Sequence, residues 1–275
     1  MKTLSLSIAF LVCGLLPSIA QTTPLAQTIA EESETTITCE LNQAPIYSEV
    51  PVFYSPNEAE AAKGTYHYKV WIPKGYHQQV TKHWPCMFVM SASGNASMEH
   101  MGDYLKRNGY IVVMLVEAKN GQWPPIVGNF LAAHDDVTKR LRVGAKFATG
   151  QSGGARASSV FVQLRPGFEG LILQSAGASL DAHGKFNVTG LKCQPHLRIA
   201  MVLGKTDKNF GEIARMKSLL SGPRFADFVF DGGHTWAPTD VFEKAMAWVT
   251  EKGSSAEATT PGTAGGSFDE IFNKK

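Results

Sequence analysis

Short apolar runs and helical apolar periods alternate along most of the chain. Residues 66–72 alternate apolar and polar positions, which predicts a half-buried strand. Residues 85–90 read as a second, core strand, and 110–116 are almost continuously apolar, as a strand covered on both faces is. Residues 145–149, 171–174, 197–203 and 225–230 supply four more strands, and one weak early strand would make eight. Helical spacing falls between these runs. Met98, Met101, Tyr104 and Leu105 mark a helix over 97–107, and Phe130, Leu131 and Val137 mark another over 126–141. Residues 155–164 and 212–220 read as two further helices. Val241, Phe242, Ala245, Met246 and Val249 mark the last, over 239–250. Strands alternating with helices predict an α/β protein, with a mostly parallel central sheet and helices on both faces.

The two ends of the chain have different patterns. Met1-Lys2 is a short positive start, 4–16 is apolar, and Ser18 and Ala20 are small residues placed as a signal peptidase requires. Residues 1–20 therefore read as a secretory signal peptide, which predicts a secreted or periplasmic protein. The apolar run is shorter than the ~20 residues of a spanning helix. Cys13 follows Val12 rather than a small residue, which argues against a lipid anchor. Residues 21–64, rich in Thr and Glu before Cys39, read as an extension with early loops, and 65–253 as the folded domain. Residues 254–275 begin rich in Ser, Ala, Thr, Pro and Gly and read as a flexible linker and tail.

Charge narrows the partners. The formal net charge is +2 and falls to +1 once Lys2 is removed with the leader (2 − 1). That balance, with no long basic run, argues against a nucleic-acid partner. No later segment is long and apolar enough to span a membrane. Three cysteines follow the leader, Cys39, Cys86 and Cys193. Cys86 sits within an apolar strand. Cys39 and Cys193 lie in more polar surroundings and are the pair a disulfide would join. The cysteines lack metal-ligand spacing, and His183 and His196 add no recognisable cluster. Asn95-Ala96-Ser97 and Asn187-Val188-Thr189 fit the glycan-acceptor pattern.

Candidate chemistry centres on Gly150-Gln151-Ser152-Gly153-Gly154, between a predicted strand and a predicted helix. A sharp strand-to-helix turn there would expose the Ser152 hydroxyl, with glycines where side chains would collide. Asp207 and His234 each follow a later apolar run. A serine hydroxyl becomes a nucleophile when an imidazole accepts its proton, and a carboxylate fixes the imidazole tautomer. Ser152, His234 and Asp207 are the candidates for those roles. Asp231, near His234, and Asp181, after residues 171–174, are rival acids. The Gly153 N–H is a candidate oxyanion donor, with Ser93 or Ala92 supplying the other. Trp123 and Trp236 either contact substrate or merely pack. Gln151 and Gln174 are further candidates for lining the site.

With these residues in place the chain resembles the α/β-hydrolases over roughly residues 65–252. Within them it is similar to secreted polyester-depolymerase and feruloyl-esterase-like serine esterases. The likeness rests on Ala148-Thr149-Gly150-Gln151-Ser152-Gly153-Gly154-Ala155 and on Asp231-Gly232-Gly233-His234-Thr235-Trp236. The chain departs from that pattern after Phe88, where Ser91-Ala92-Ser93-Gly94 stands in place of a His-Gly pair. The resemblance implies an esterase with no clear lid and no cofactor, acting on small or polymeric esters with short-chain, aryl or polyester-type groups. A peptidase or amidase on the same fold, and a non-catalytic binding protein, are the alternatives.

Overall fold

The computed structural model describes residues 29–220, 222 and 224–251. The proposed leader (1–20) and tail (254–275) lie outside the described residues. Eight strands form one sheet: β1 (Glu34–Leu41), β2 (Gly64–Trp71), β3 (Trp84–Ser91), β4 (Ile111–Leu115), β5 (Val143–Gln151), β6 (Phe168–Gln174), β7 (Arg198–Gly204) and β8 (Phe225–Phe230). Their spatial order is β1-β2-β4-β3-β5-β6-β7-β8. β2 runs antiparallel to both β1 and β4, and the other pairs are parallel. Among the described residues seven α-helices accompany them: α1 (Pro56–Ala61), α2 (Gly102–Arg107), α3 (Trp123–Arg140), α4 (Gly153–Leu164), α5 (Thr189–Lys192), α6 (Glu212–Leu219) and α7 (Thr239–Thr250).

The apolar runs are continuous because both sheet faces are covered. In β4, Ile111, Val113 and Leu115 pack on one side with Phe130 and Phe161, from α3 and α4. Val112 and Met114 pack on the other with Leu105 of α2 and with Phe242 and Met246 of α7. β3 divides the same way, with Cys86, Phe88 and Met90 opposite Met87 and Val89. Strand side chains alternate faces, so a strand buried on both sides needs apolar residues at every position. This is the α/β-hydrolase architecture, without an inserted lid among the described residues.

The one weak early strand that the count of eight allows for is β1, ahead of the alternation at 66–72. β1 lies within the stretch read from sequence as extension and early loops, and it pairs residue for residue with β2. It is an edge strand covered on one face, where Ile37, Cys39 and Leu41 are buried. Its other positions are Thr and Glu, so the apolar signal is thin. α3 starts sooner than 126. Pro124 and Pro125 belong to its first turn, where a missing N–H costs nothing.

The Cys39–Cys193 bridge anticipated from the sequence is not formed; Cys39, Cys86 and Cys193 are all free. Cys39 is buried in β1, where its thiol donates to the Tyr66 carbonyl. Cys193 is exposed at the end of α5, just ahead of β7. β1 and β7 are six strand positions apart, roughly 29 Å at about 4.8 Å per position. A disulfide spans less than about 7 Å between Cα atoms.

Candidate active site

Parallel strands β5, β7 and β8 all end on one side of the sheet, and each delivers one candidate residue there. β5 ends at Gln151, and Ser152 follows with φ 58° and ψ −118° before α4 begins. A non-glycine residue at positive φ is strained, and such strain collects at functional turns. Neighbouring backbone enforces the turn. A Cβ on Gly150 would lie 2.4 Å from the Gly154 carbonyl group, and one on Gly154 would lie 2.3 Å from the Met90 oxygen. The Ser152 N–H donates to the Gln174 carbonyl at 2.8 Å, fastening the turn to β6.

Ser152, His234 and Asp207 form one hydrogen-bonded line. His234 Nε2 is 2.8 Å from Ser152 Oγ, and His234 Nδ1 is 2.9 Å from Asp207 Oδ1. In the tautomer that suits both contacts, Nδ1–H donates to the carboxylate and Nε2 accepts from the serine hydroxyl. The Asp207 side chain is fully buried, whereas His234 reaches solvent. Asp207 Oδ1 also accepts the Asn209 N–H at 2.8 Å.

The loops that carry Asp207 and His234 are clamped together. Thr206 donates its N–H and its hydroxyl to the Gly232 carbonyl, at 3.0 and 2.9 Å. Gly204 allows this approach, since a Cβ there would lie 2.2 Å from the same oxygen. The rival acids lie elsewhere. Asp231 is exposed and pairs with Lys205 at 2.6 Å. Asp181 accepts the N–H groups of His183 and Lys185 within its own loop.

The oxyanion candidates flank Ser152. Gly153 opens α4, and Ala92 and Ser93 follow β3, whose Ser91 pairs with Gln151. The Ser93 hydroxyl lies 2.9 Å from that of Ser91, and its N–H makes a long 3.4 Å contact to the same Ser91 oxygen. Gln151 is half-buried at the end of β5. Trp123 opens α3 and lines a groove of about 390 Å³ with Asn57, Glu58, Ala61, Gln122 and Pro124. Trp236 is partly buried against the core on the α2 and α7 side. Gln174 does not line the site. It is 1% exposed and braces the sheet end, with Nε2 donating to Thr149 Oγ1 at 3.0 Å and Oε1 accepting the Ala237 N–H at 3.0 Å.

Several supporting residues carry weaker sequence signals. Ser175, at φ 56°, donates its hydroxyl to the Thr235 carbonyl at 2.6 Å, and Asn209 Nδ2 donates to the Ser175 carbonyl at 2.8 Å. Asn129 is fully buried, and its Oδ1 accepts the N–H groups of Glu117 and Ala118 in the loop after β4. An asparagine on the apolar face of a helix is the one signal here that a sequence displays. Asn120, next to Gly153, has no such signal. Among the described residues no cluster of His, Cys, Asp and Glu is arranged to hold a metal ion. Among the same residues no helix is long and apolar enough to cross a membrane.

No protein-family model matches the chain, and no curated protein matches it either. Solved structures match its fold. An S-formylglutathione hydrolase from Staphylococcus aureus aligns at 12% identity and TM-score 0.54, covering 80% of this chain and 98% of that one. An IroE-like serine hydrolase from Shewanella oneidensis aligns at 14% identity and TM-score 0.53, covering 78% and 79%. A ferulic acid esterase aligns at 16% identity and TM-score 0.51, covering 78% and 95%. At such identities the likeness establishes the α/β-hydrolase fold.

Proposed function

We propose that the protein is a secreted or periplasmic serine carboxylic-ester hydrolase that works through an acyl-enzyme. The observation that carries this reading is the line from Ser152 Oγ through His234 to the buried Asp207. Ser152 Oγ attacks the ester carbonyl as His234 Nε2 takes its proton. The carbonyl oxygen becomes an oxyanion facing the Gly153 N–H and an N–H of the Ala92-Ser93 turn. His234 then gives the proton to the leaving alcohol. Water repeats the sequence on the acyl-enzyme and frees the acid. Asp207 holds the imidazole tautomer and stabilises the imidazolium throughout. None of these steps calls on a cofactor.

The substrate class is short-chain, aryl or polyester-type esters. The architecture, without an inserted lid among the described residues, supports it, and so does the resemblance noted from the sequence; the Trp123 groove is lined by none of Ser152, Asp207 and His234 and carries no weight here. The export assignment rests on residues 1–20. The test is turnover of chromogenic acetate and butyrate esters by purified protein, beside matched amides. The expected result is ester hydrolysis that Ser152→Ala abolishes without unfolding the protein. Undiminished turnover in folded S152A would exclude the assignment, and efficient amide cleavage with little ester cleavage would move it to the amidases.

A further inference from the structure

Asn120 lies in the loop between β4 and α3, and its carboxamide fills the space where a side chain at 153 would stand. A Cβ on Gly153 would lie 1.6 Å from Asn120 Oδ1, 2.8 Å from Cγ and 3.4 Å from Nδ2. A Cβ sits about 2.5 Å from its own backbone nitrogen, so the carboxamide tip is within about 4 Å of the Gly153 nitrogen. That nitrogen is the proposed oxyanion donor. Asn120 also reaches the other half of the hole, since its backbone N–H donates to the Ala92 carbonyl at 2.8 Å. The adjacent Lys119 forms a β-bridge with Ser93.

The loop is held in place before any ligand arrives. Asn129 fixes it at Glu117 and Ala118. The turn after β3 is tied to the end of β4, with Asn95 and Ala96 donating to the Val116 and Leu115 carbonyls at 2.7 and 2.9 Å. Asn120 nevertheless remains exposed, and its carboxamide has no hydrogen-bond partner among the described residues. A fixed backbone, a free polar tip and contact with Gly153 suit a group that serves a ligand. A carboxamide exchanges its donor and acceptor ends by rotating about χ2, so either can face an incoming group.

We propose that Asn120 is a third member of the oxyanion hole, its Nδ2 donating to the carbonyl oxygen as negative charge develops there. The inference rests on the serine-esterase reading. Gly153 is then glycine because this carboxamide needs the space, and the proposed backbone N–H donors gain a side-chain donor. A donor placed at the developing charge acts on the transition state more than on the bound ester.

The test compares wild type, Asn120→Ala and Asn120→Asp on one chromogenic ester, with an alkyl boronic acid as a mimic of the tetrahedral state. N120A is expected to lose roughly 10- to 1000-fold in kcat, with KM within about threefold and boronate affinity falling alongside. N120D is expected to be worse near neutral pH, because a carboxylate repels the oxyanion, and to recover part of the loss in acid. An active wild type whose N120A keeps kcat and boronate affinity within threefold would overturn the role. So would a loss confined to KM, which would make Asn120 a wall of the pocket. If wild type neither hydrolyses esters nor labels with a fluorophosphonate, the esterase reading itself fails and the inference falls with it.

Discussion

Gln174 holds the loop of His234: its Oε1 accepts the Ala237 N–H at 3.0 Å, three residues beyond the imidazole. Its own carbonyl accepts the Ser152 N–H at 2.8 Å. One residue at the end of β6 thus sets the height of both Ser152 and the His234 loop. Ser175 extends the brace through its hydroxyl to Thr235.

Replacing Gln174 with Ala would leave the buried Ala237 N–H and Thr149 hydroxyl without that partner. The expected destabilisation is about 1–3 kcal/mol, read from the urea midpoint. Turnover should fall as well, by on the order of 10- to 100-fold in kcat, because small displacements of catalytic groups are costly. Fluorophosphonate labelling of Ser152 should slow in parallel. A variant that is destabilised but keeps wild-type kcat would show that the His234 loop holds its position by other means.

Asp207→Asn keeps the shape of the acid and removes its charge. The Asn209 N–H and His234 Nδ1 share Oδ1, so an amide turned to donate to Nδ1 loses the Asn209 N–H, while the Phe210 N–H to Asp207 and Thr206 N–H to Gly232 backbone bonds still hold the loop. The amide can present its donor end to His234 Nδ1, favouring the tautomer that cannot accept from Ser152. The expected loss in kcat is about 10²- to 10⁴-fold. Combining D207N with Ser152→Ala should cost little beyond S152A alone, because the three residues act as a unit. Additive losses in the double variant would contradict a shared role, and Asp231 would then have to be reconsidered.

The hydrogen-bonded line of Ser152, His234 and Asp207 could be read as a candidate from sequence because each residue follows its own apolar run and glycines flank Ser152 within one pentapeptide. The bracing could not. Gln174, Asn209 and Ser175 act through partners tens of residues away, and an ordinary polar residue after a strand carries no mark of that. Asn120 was hidden for the same reason, since its place beside Gly153 depends on β4 and β5 flanking β3. β1 was obscured by chemistry. A one-sided edge strand spelled ETTITCEL offers only three buried positions to the eye. Cysteine pairing was beyond reach because it depends on strand order.

Thiol reactivity should separate the cysteines. Burial pushes the Cys39 thiol up to about 12, and nearby Asp136 and Glu117 act in the same direction. Cys86 is raised too, chiefly by burial within β3. Only the thiolate reacts appreciably. In native protein at pH 8, iodoacetamide followed by peptide mapping should mark Cys193 and spare Cys39 and Cys86. Both should label once the protein is unfolded in urea. Rapid native labelling of Cys39 would mean that β1 detaches from β2 in solution.

A buried histidine away from Ser152 and His234 sets a pH dependence of stability. His134 packs among Phe88, Phe161 and Phe168. Its Nδ1 lies 3.0 Å from Asp135 and its Nε2 lies 3.2 Å from Lys146, an arrangement that suits a neutral ring donating to the carboxylate and accepting from the ammonium. Burial lowers its pKa, and Lys146 adds to this, while Asp135 opposes it. The unfolded chain therefore takes up this proton first as pH falls, so stability drops as pH goes below about 6.5 and levels off once the folded site is protonated. Asp135 adds a second loss in stronger acid. Burial raises its pKa, but the hydrogen bonds from Arg165 and His134 outweigh that and hold it low. Urea midpoints measured between pH 8 and pH 5 should fall more steeply for wild type than for His134→Gln, whatever the variant's stability at pH 8. Parallel slopes would assign the acid sensitivity to other groups.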